Sequence, residues 1–151
     1  AEAGRLGRTD CVLCALVAED ATPASGLVVV EGDAPAWCPR ASSLPYEMLL
    51  APREHRATFH GASDGARQAR AAVAGALRDA LGLLDAALDD PPYNVVVHAP
   101  PFTGRPDFHW HVHVWPRIGS LAGFELGTGL GANTVLPEDA AALLRGENPR
   151  T

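Results

Sequence analysis

The sequence has 151 residues, inside the range of about 100–200 usual for one domain, and its 47% apolar and 20% charged residues form an ordinary globular composition. Twelve basic against eighteen acidic residues give a net charge of −6; all the basic residues are arginine, and none gather into the stripe needed to track a nucleic-acid backbone. No apolar run approaches the roughly 18 residues of a membrane span, and the opening Ala-Glu-Ala-Gly-Arg has no secretory pattern, so the expectation is a cytoplasmic chain with neither nucleic acid nor membrane as partner.

Residues 1–10 read as a flexible tail, 11–145 as a single domain and 146–151 as a second tail. Thr9-Asp10 would cap a short helix running from Cys11 to Glu19. The β-branched run from Gly26 to Val30, a turn at Glu31-Gly32-Asp33 and the apolar Ala36-Trp37-Cys38 predict a hairpin. Tyr46 to Ala51 predicts another strand, stopped by Pro52. Ser63-Asp64 opens the one clear helix, expected over 64–90, in which Val73, Leu77, Leu81, Leu84 and Leu88 recur on one face until Pro91-Pro92. Tyr93 to His98 is a compact strand, His109 to Trp115 another, and Leu121 to Asn133 is Gly-rich and expected to be extended. Pro137-Glu138-Asp139 starts a last short helix through Leu144.

Chemistry concentrates in Phe108-His109-Trp110-His111-Val112-His113-Val114-Trp115. Alternate side chains of a strand share a face, so the three histidines point one way and Trp110, Val112 and Val114 the other. Same-face neighbours lie about 6.6–6.8 Å apart and His109 to His113 spans roughly 13 Å, too far for one ion with bonds of about 2.0–2.1 Å unless the strand bulges. The row therefore divides its labour: either His109 joins a metal elsewhere and leaves His111 and His113 for catalysis, or His111 and His113 chelate. Cys11-Val12-Leu13-Cys14 supplies two soft ligands, and His55 and His109 are the best candidates to complete a zinc site. Cys38, alone, reads as core.

These residues, in this order, resemble a family. Cys11-x-x-Cys14, Pro52-x-x-His55, Tyr93-Asn94 at the head of a strand and His109-x-His111-x-His113 are similar to the histidine-triad superfamily of nucleotide hydrolases and transferases. Trp37-Cys38-Pro39, the run from Leu44-Pro45-Tyr46-Glu47 to His55, Asn94 to Pro100, Phe108 to Pro116-Arg117, Ala122-Gly123-Phe124-Glu125 and Gly127-Thr128-Gly129 resemble the C-terminal half of galactose-1-phosphate uridylyltransferase-like proteins.

The resemblance implies an α+β fold, an antiparallel sheet of about five to six strands with one long helix packed on it, and a homodimer. It implies a nucleotidyl transferase or hydrolase acting on a nucleotide sugar or related phosphoanhydride. His111 would be the nucleophile that forms a nucleotidyl-histidine, with His113 beside it in the catalytic pair. A histidine near its usual pKa of about 6.5 is mostly neutral at pH 7 and needs no separate base. Zinc would map to Cys11, Cys14, His55 and His109. Uridylyltransferases themselves carry the nucleophile in a His-Pro-His motif of their N-terminal half, absent from this sequence, and a metal site, of zinc or alternatively iron, in the other half. The matching metal set here is His98, His111 and His113, and the matching function a non-catalytic, sugar-recognising half that needs a partner segment. Substrate contacts would fall to Asn94 for the nucleotide, to Arg105 as a guanidinium fork for phosphate, and to Phe124, Glu125, Thr128 and Asn133 for the sugar.

Overall fold

A computed structural model describes residues 11–100, 105–119, 123–129 and 131–148. The expected cap at Thr9-Asp10 and the 1–10 tail lie outside these residues. Helix α1 (Val12–Glu19) starts at Cys11, whose side chain makes no capping bond. Strands β1 (Val28–Val30), β2 (Ala36–Trp37) and β3 (Met48–Leu50) follow, then helix α2 (Asp64–Leu88), strands β4 (Tyr93–His98) and β5 (His111–Pro116), and helices α3 (Gly123–Thr128) and α4 (Pro137–Leu144). The five strands form one antiparallel sheet in the order β1-β2-β3-β5-β4. This is the expected α+β architecture.

Register decides which residues share a face. Met48 and Leu50 of β3 stand opposite Val114 and Val112 of β5, and this side buries Trp110, Val112 and Val114 against α2 and α4. On the other side Leu49 stands opposite His113, and His98 of β4 opposite His111. Helix α1 covers only part of that second face, through Val17, Leu13 and Leu16 over Leu27, Trp37 and Leu49.

Helix α2 begins as its sequence signals, with the Ser63 side chain accepting from Ala66 N. Its buried residues are Val73, Ala76, Ala80 and Leu84, whereas Leu77, Leu81 and Leu88 are only partly buried. The leucine spacing thus marks the flanks of the contact, and alanines line its centre, where a small side chain lets the helix lie close to the sheet. The helix ends two residues before the expected Asp90, because Asp89 and Asp90 both take left-handed φ values, 58° and 55°.

Three further boundaries differ from expectation. The triad strand begins at His111, not His109, because the Trp110 N–H leaves the ladder to donate to the Arg56 carbonyl at 3.1 Å. The strand expected over 46–51 shrinks to Met48–Leu50, since Tyr46 is left-handed (φ 58°). The Gly-rich segment expected to be extended holds α3, closed by Gly129 at φ 70° with its N–H on the Glu125 carbonyl at 2.9 Å; glycine there is a helix terminator and not a sign of extension.

Ala80 is fully buried, so Ala80→Leu inserts volume into the packed core beneath α2 and costs about 1–3 kcal/mol. Urea unfolding should show a lower midpoint with an unchanged slope.

Candidate functional site

The departure of Trp110 from the ladder splits the histidine row. His109 turns to the start of α1 and joins Cys11, Cys14 and His55; one ligand atom from each lies within 4.8 Å of all the others. His111 and His113 stay on the sheet face and meet His98, again with ligand atoms within 4.8 Å of one another. The structure thus gathers both candidate residue sets, one on each side of Trp110.

In the first cluster the Nδ1 atoms of His55 and His109 stand 3.3 and 3.5 Å from Cys14 Sγ. His55 Nε2 lies 2.9 Å from the Pro106 carbonyl, which can only accept, so Nε2 carries the proton and Nδ1 faces the cysteines with its lone pair. Burial, followed by the neighbouring His55 and His111, pushes His109 down to a pKa of about 4, which keeps it neutral at pH 7. His109 Nε2 is buried without a well-aligned partner, with the Pro52 carbonyl the backbone acceptor beside the ring. Two cysteines and two histidines at this spacing fit a tetrahedral ion, whose bonds of about 2.3 Å to sulfur and 2.0–2.1 Å to nitrogen put neighbouring ligands roughly 3.3–3.8 Å apart.

The second cluster opens on a groove of about 360 Å³ between α1 and the sheet, lined by Leu13, Leu16, Arg40, Glu47, Leu49, His111 and His113 among others. His111 Nδ1 is 2.9 Å from the His109 carbonyl, so Nδ1 holds the proton and the lone pair sits on Nε2. Burial lowers the His111 pKa, and His98 and His113 add to that against the opposing His109 carbonyl bond. The His98 ring stacks on His111 at 4.7 Å, and its own pKa is lowered by burial and then by His113.

Two groups at this groove went unread in the sequence. Arg40 Nε pairs with the buried Asp20 carboxylate at 2.9 Å, fixing a guanidinium at the groove's edge. Glu47, 4% exposed, sets Oε1 at 3.3 Å from His113 Nδ1, an ion-pair distance without good hydrogen-bond alignment. Its burial would raise the carboxyl pKa, but the adjoining His113 ring and the bonds from the Ser43 N–H and hydroxyl and from Trp115 win and hold it at about 2. The available signal was that Glu47 is the one charge in the apolar run from Tyr46 to Ala51.

The expected substrate residues are dispersed. Asn94 is exposed on β4 opposite Trp115. The Arg105 guanidinium is paired with Asp107 and does not line the groove. Phe124, Glu125 and Thr128 fall on α3, and Asn133 Oδ1 accepts from Val135 N in a local turn. Cys38 is fully buried, and burial pushes its thiol up to about 12.

No family model matches the chain. It is 33% identical over 111 residues to an ADP-glucose phosphorylase from Arabidopsis thaliana, a match covering 71% of this chain and 31% of that protein. Among solved structures it is similar to a galactose-1-phosphate uridylyltransferase-like protein from Arabidopsis thaliana, with a TM-score of 0.74, 29% identity and coverage of 93% of this chain and 45% of the other. It is similar also to an ADP-glucose phosphorylase from Arabidopsis thaliana with bound ADP-glucose, with a TM-score of 0.71, 30% identity and coverage of 89% and 42%. The chain resembles uridylyltransferase-like proteins and has the histidine-triad-like fold. A zinc-bound histidine triad family protein from Mycobacterium smegmatis shares that fold over 93% of this chain and 94% of its own, at 19% identity and a TM-score of 0.60. The chain spans about a third of the curated relative, which it covers to 31%. Among the described residues of this histidine-triad-like chain, no helix is long and apolar enough to cross a membrane.

The loop that carries Glu47 is pressed by Gly131, where a Cβ would lie 2.5 Å from the Ser43 carbonyl oxygen, while one at Gly127 would meet nothing within 4 Å. Gly131→Ala should lower the melting temperature by several degrees, in line with a cost of about 1–3 kcal/mol for overpacking. Gly127→Ala, in a helix, should leave it unchanged or raise it.

Proposed function

We propose that this chain is a nucleotidyl transferase or hydrolase acting on a nucleotide sugar or related phosphoanhydride through His111. The observation that carries the reading is the bond from His111 Nδ1 to the His109 carbonyl, because it leaves Nε2 unprotonated in a groove large enough for part of a nucleotide. Nε2 attacks the α-phosphorus, a nitrogen–phosphorus bond forms, and the anhydride oxygen leaves with the second phosphate. Water, phosphate or a sugar phosphate then attacks the same phosphorus and releases His111. His98 stands beside it as a donor to the phosphoryl oxygens, and His113 lies against it in the catalytic pair. A likeness to an ADP-glucose phosphorylase supports an ADP-sugar among the candidate substrates, with Asn94 and the α3 residues Phe124, Glu125 and Thr128, together with Asn133, as further contacts and Arg105 as a phosphate contact once it leaves Asp107.

Zinc at Cys11, Cys14, His55 and His109 would tie the start of α1 to the approach of β5. When bound, the ion supplies cross-linking and neutralises the two thiolates. The thiol pair suits a reducing compartment, which supports a cytoplasmic location, and we read residues 11–145 as one domain between two tails. A second copy of the chain is the partner the resemblance implies. Tyr93, Val95 and Val97 of β4, at the end of the strand order, are exposed on the side that α2 covers elsewhere. Val97→Arg should lower the sedimentation coefficient from a dimer's to a monomer's, and the homodimer is wrong if wild type already sediments as a monomer.

A second reading rests on one observation, the convergence of His98, His111 and His113. In it these three hold a metal, zinc or iron, and the chain is a non-catalytic, sugar-recognising C-terminal half needing a partner segment. Intact mass after brief incubation with ADP-sugars, UDP-sugars and dinucleotides, with metal content read on the same samples, separates the two. A nucleotidyl adduct that vanishes in His111→Asn with metal retained is the expected result; no adduct, and one metal equivalent lost in the variant, would give the second reading. Cys14→Ala should lose the first metal in either case.

A further inference from the structure

Glu47 has no part in the chemistry above, yet the local backbone is arranged around it. It precedes β3 and, by the two-residue period, falls on the face of Leu49, which stands opposite His113. The turn that brings it inward runs through Tyr46, a non-glycine residue at φ 58°, a left-handed conformation that needs surrounding contacts to persist. Those contacts are specific. Glu47 Oε2 accepts from Ser43 N at 2.8 Å and from Ser43 Oγ at 3.0 Å, and the Ser43 carbonyl is backed by Gly131 so closely that no Cβ fits there. The other oxygen, Oε1, is left facing His113 Nδ1 at 3.3 Å.

We propose that Glu47 is the positioning residue of the histidine cluster, holding the Nδ1 proton of His113 so that the lone pair lies on Nε2. An ionised carboxylate can only accept, so the nitrogen facing it must carry a proton, and a neutral imidazole then offers the other nitrogen as acceptor or ligand. Two backbone-anchored devices therefore set neighbouring rings alike: the His109 carbonyl fixes His111 and the Glu47 carboxylate fixes His113. The proposal rests on the reading that this cluster is the working part of the chain, and its test needs no substrate.

Long-range proton–nitrogen spectra of histidine-labelled protein at pH 7.5 distinguish the two ring nitrogens. In the wild type His113 should show a protonated Nδ1 and an unprotonated Nε2; any other pattern overturns the proposal without a variant. Glu47→Gln keeps the shape but has one oxygen, which the Ser43 and Trp115 donors claim, so the amide NH2 turns to His113 and Nδ1 must accept. The His113 pattern should then invert to Nε2–H while that of His111 stays, and Ser43→Ala should leave His113 as in the wild type. A Glu47→Gln protein that melts near the wild-type temperature with its His113 pattern unchanged makes Glu47 a loop clasp and nothing more. An unaltered tautomer sinks this inference alone; a missing nucleotidyl adduct sinks the proposed reaction alone.

Discussion

The hydrogen bond from Trp110 N–H to the Arg56 carbonyl governs how three histidines in five residues are used. Within a regular strand their side chains would stand in a row about 6.7 Å apart, and neither a metal nor a phosphoryl group could gather all of them. Taking one peptide out of the ladder releases His109 from the row while Trp110 still fills the core beneath α2. His109 reaches two cysteines on α1, and its carbonyl swings back to hold His111. One displaced peptide thereby builds one site and orients the other.

The groove exists because the two faces of the sheet are covered unequally. Helix α2 runs 25 residues across one face with alanines at its closest approach, and α4 extends that layer over β1. On the opposite face α1 has eight residues, roughly 12 Å of helix, enough for Trp37 and Leu49 but not for β5 and β4. The histidines of β5 and His98 of β4 face the uncovered part. Leu13 and Leu16 form its apolar wall, and Arg40, held by the buried Asp20, stands at its polar edge. The groove thus has an apolar wall, an Arg40–Asp20 ion pair at its edge and imidazoles on its floor, the mixed apolar and polar lining of a small-molecule site.

How much of this was legible in the sequence follows from the range of each signal. The Cys-x-x-Cys pair, the alternation of the triad strand and the long helix are local patterns, and the structure places each close to where the pattern does. His98 carried no local signal, since its place beside His111 is a matter of strand register across a loop. Glu47 was visible as a lone charge in an apolar run, but its direction is set by the left-handed Tyr46, which no propensity predicts. The error over α3 arose because its glycines were read as breakers, when Gly129 alone ends the turn and the residues before it are compatible with a helix. Arg105, a candidate phosphate fork in the sequence, is paired with Asp107 two residues on.

The coexistence of two clusters bears on which histidines can be separated by experiment. His109 contributes its ring to the first and its carbonyl to the second, so a change that moves its backbone disturbs both. His111 and His113 share the second cluster but hang from different supports, the His109 carbonyl and the Glu47 carboxylate. The first support belongs to the strand entry and is insensitive to side-chain substitution; the second is a side chain held by Ser43 and backed by Gly131. Whether the occupant of the groove is a phosphoryl group or a metal, it meets the same two unprotonated Nε2 atoms, because both supports fix the proton on Nδ1. The geometry therefore specifies the donor atoms before it specifies the ligand. The ionised Glu47 behind His113 strengthens that ring as a donor to either occupant.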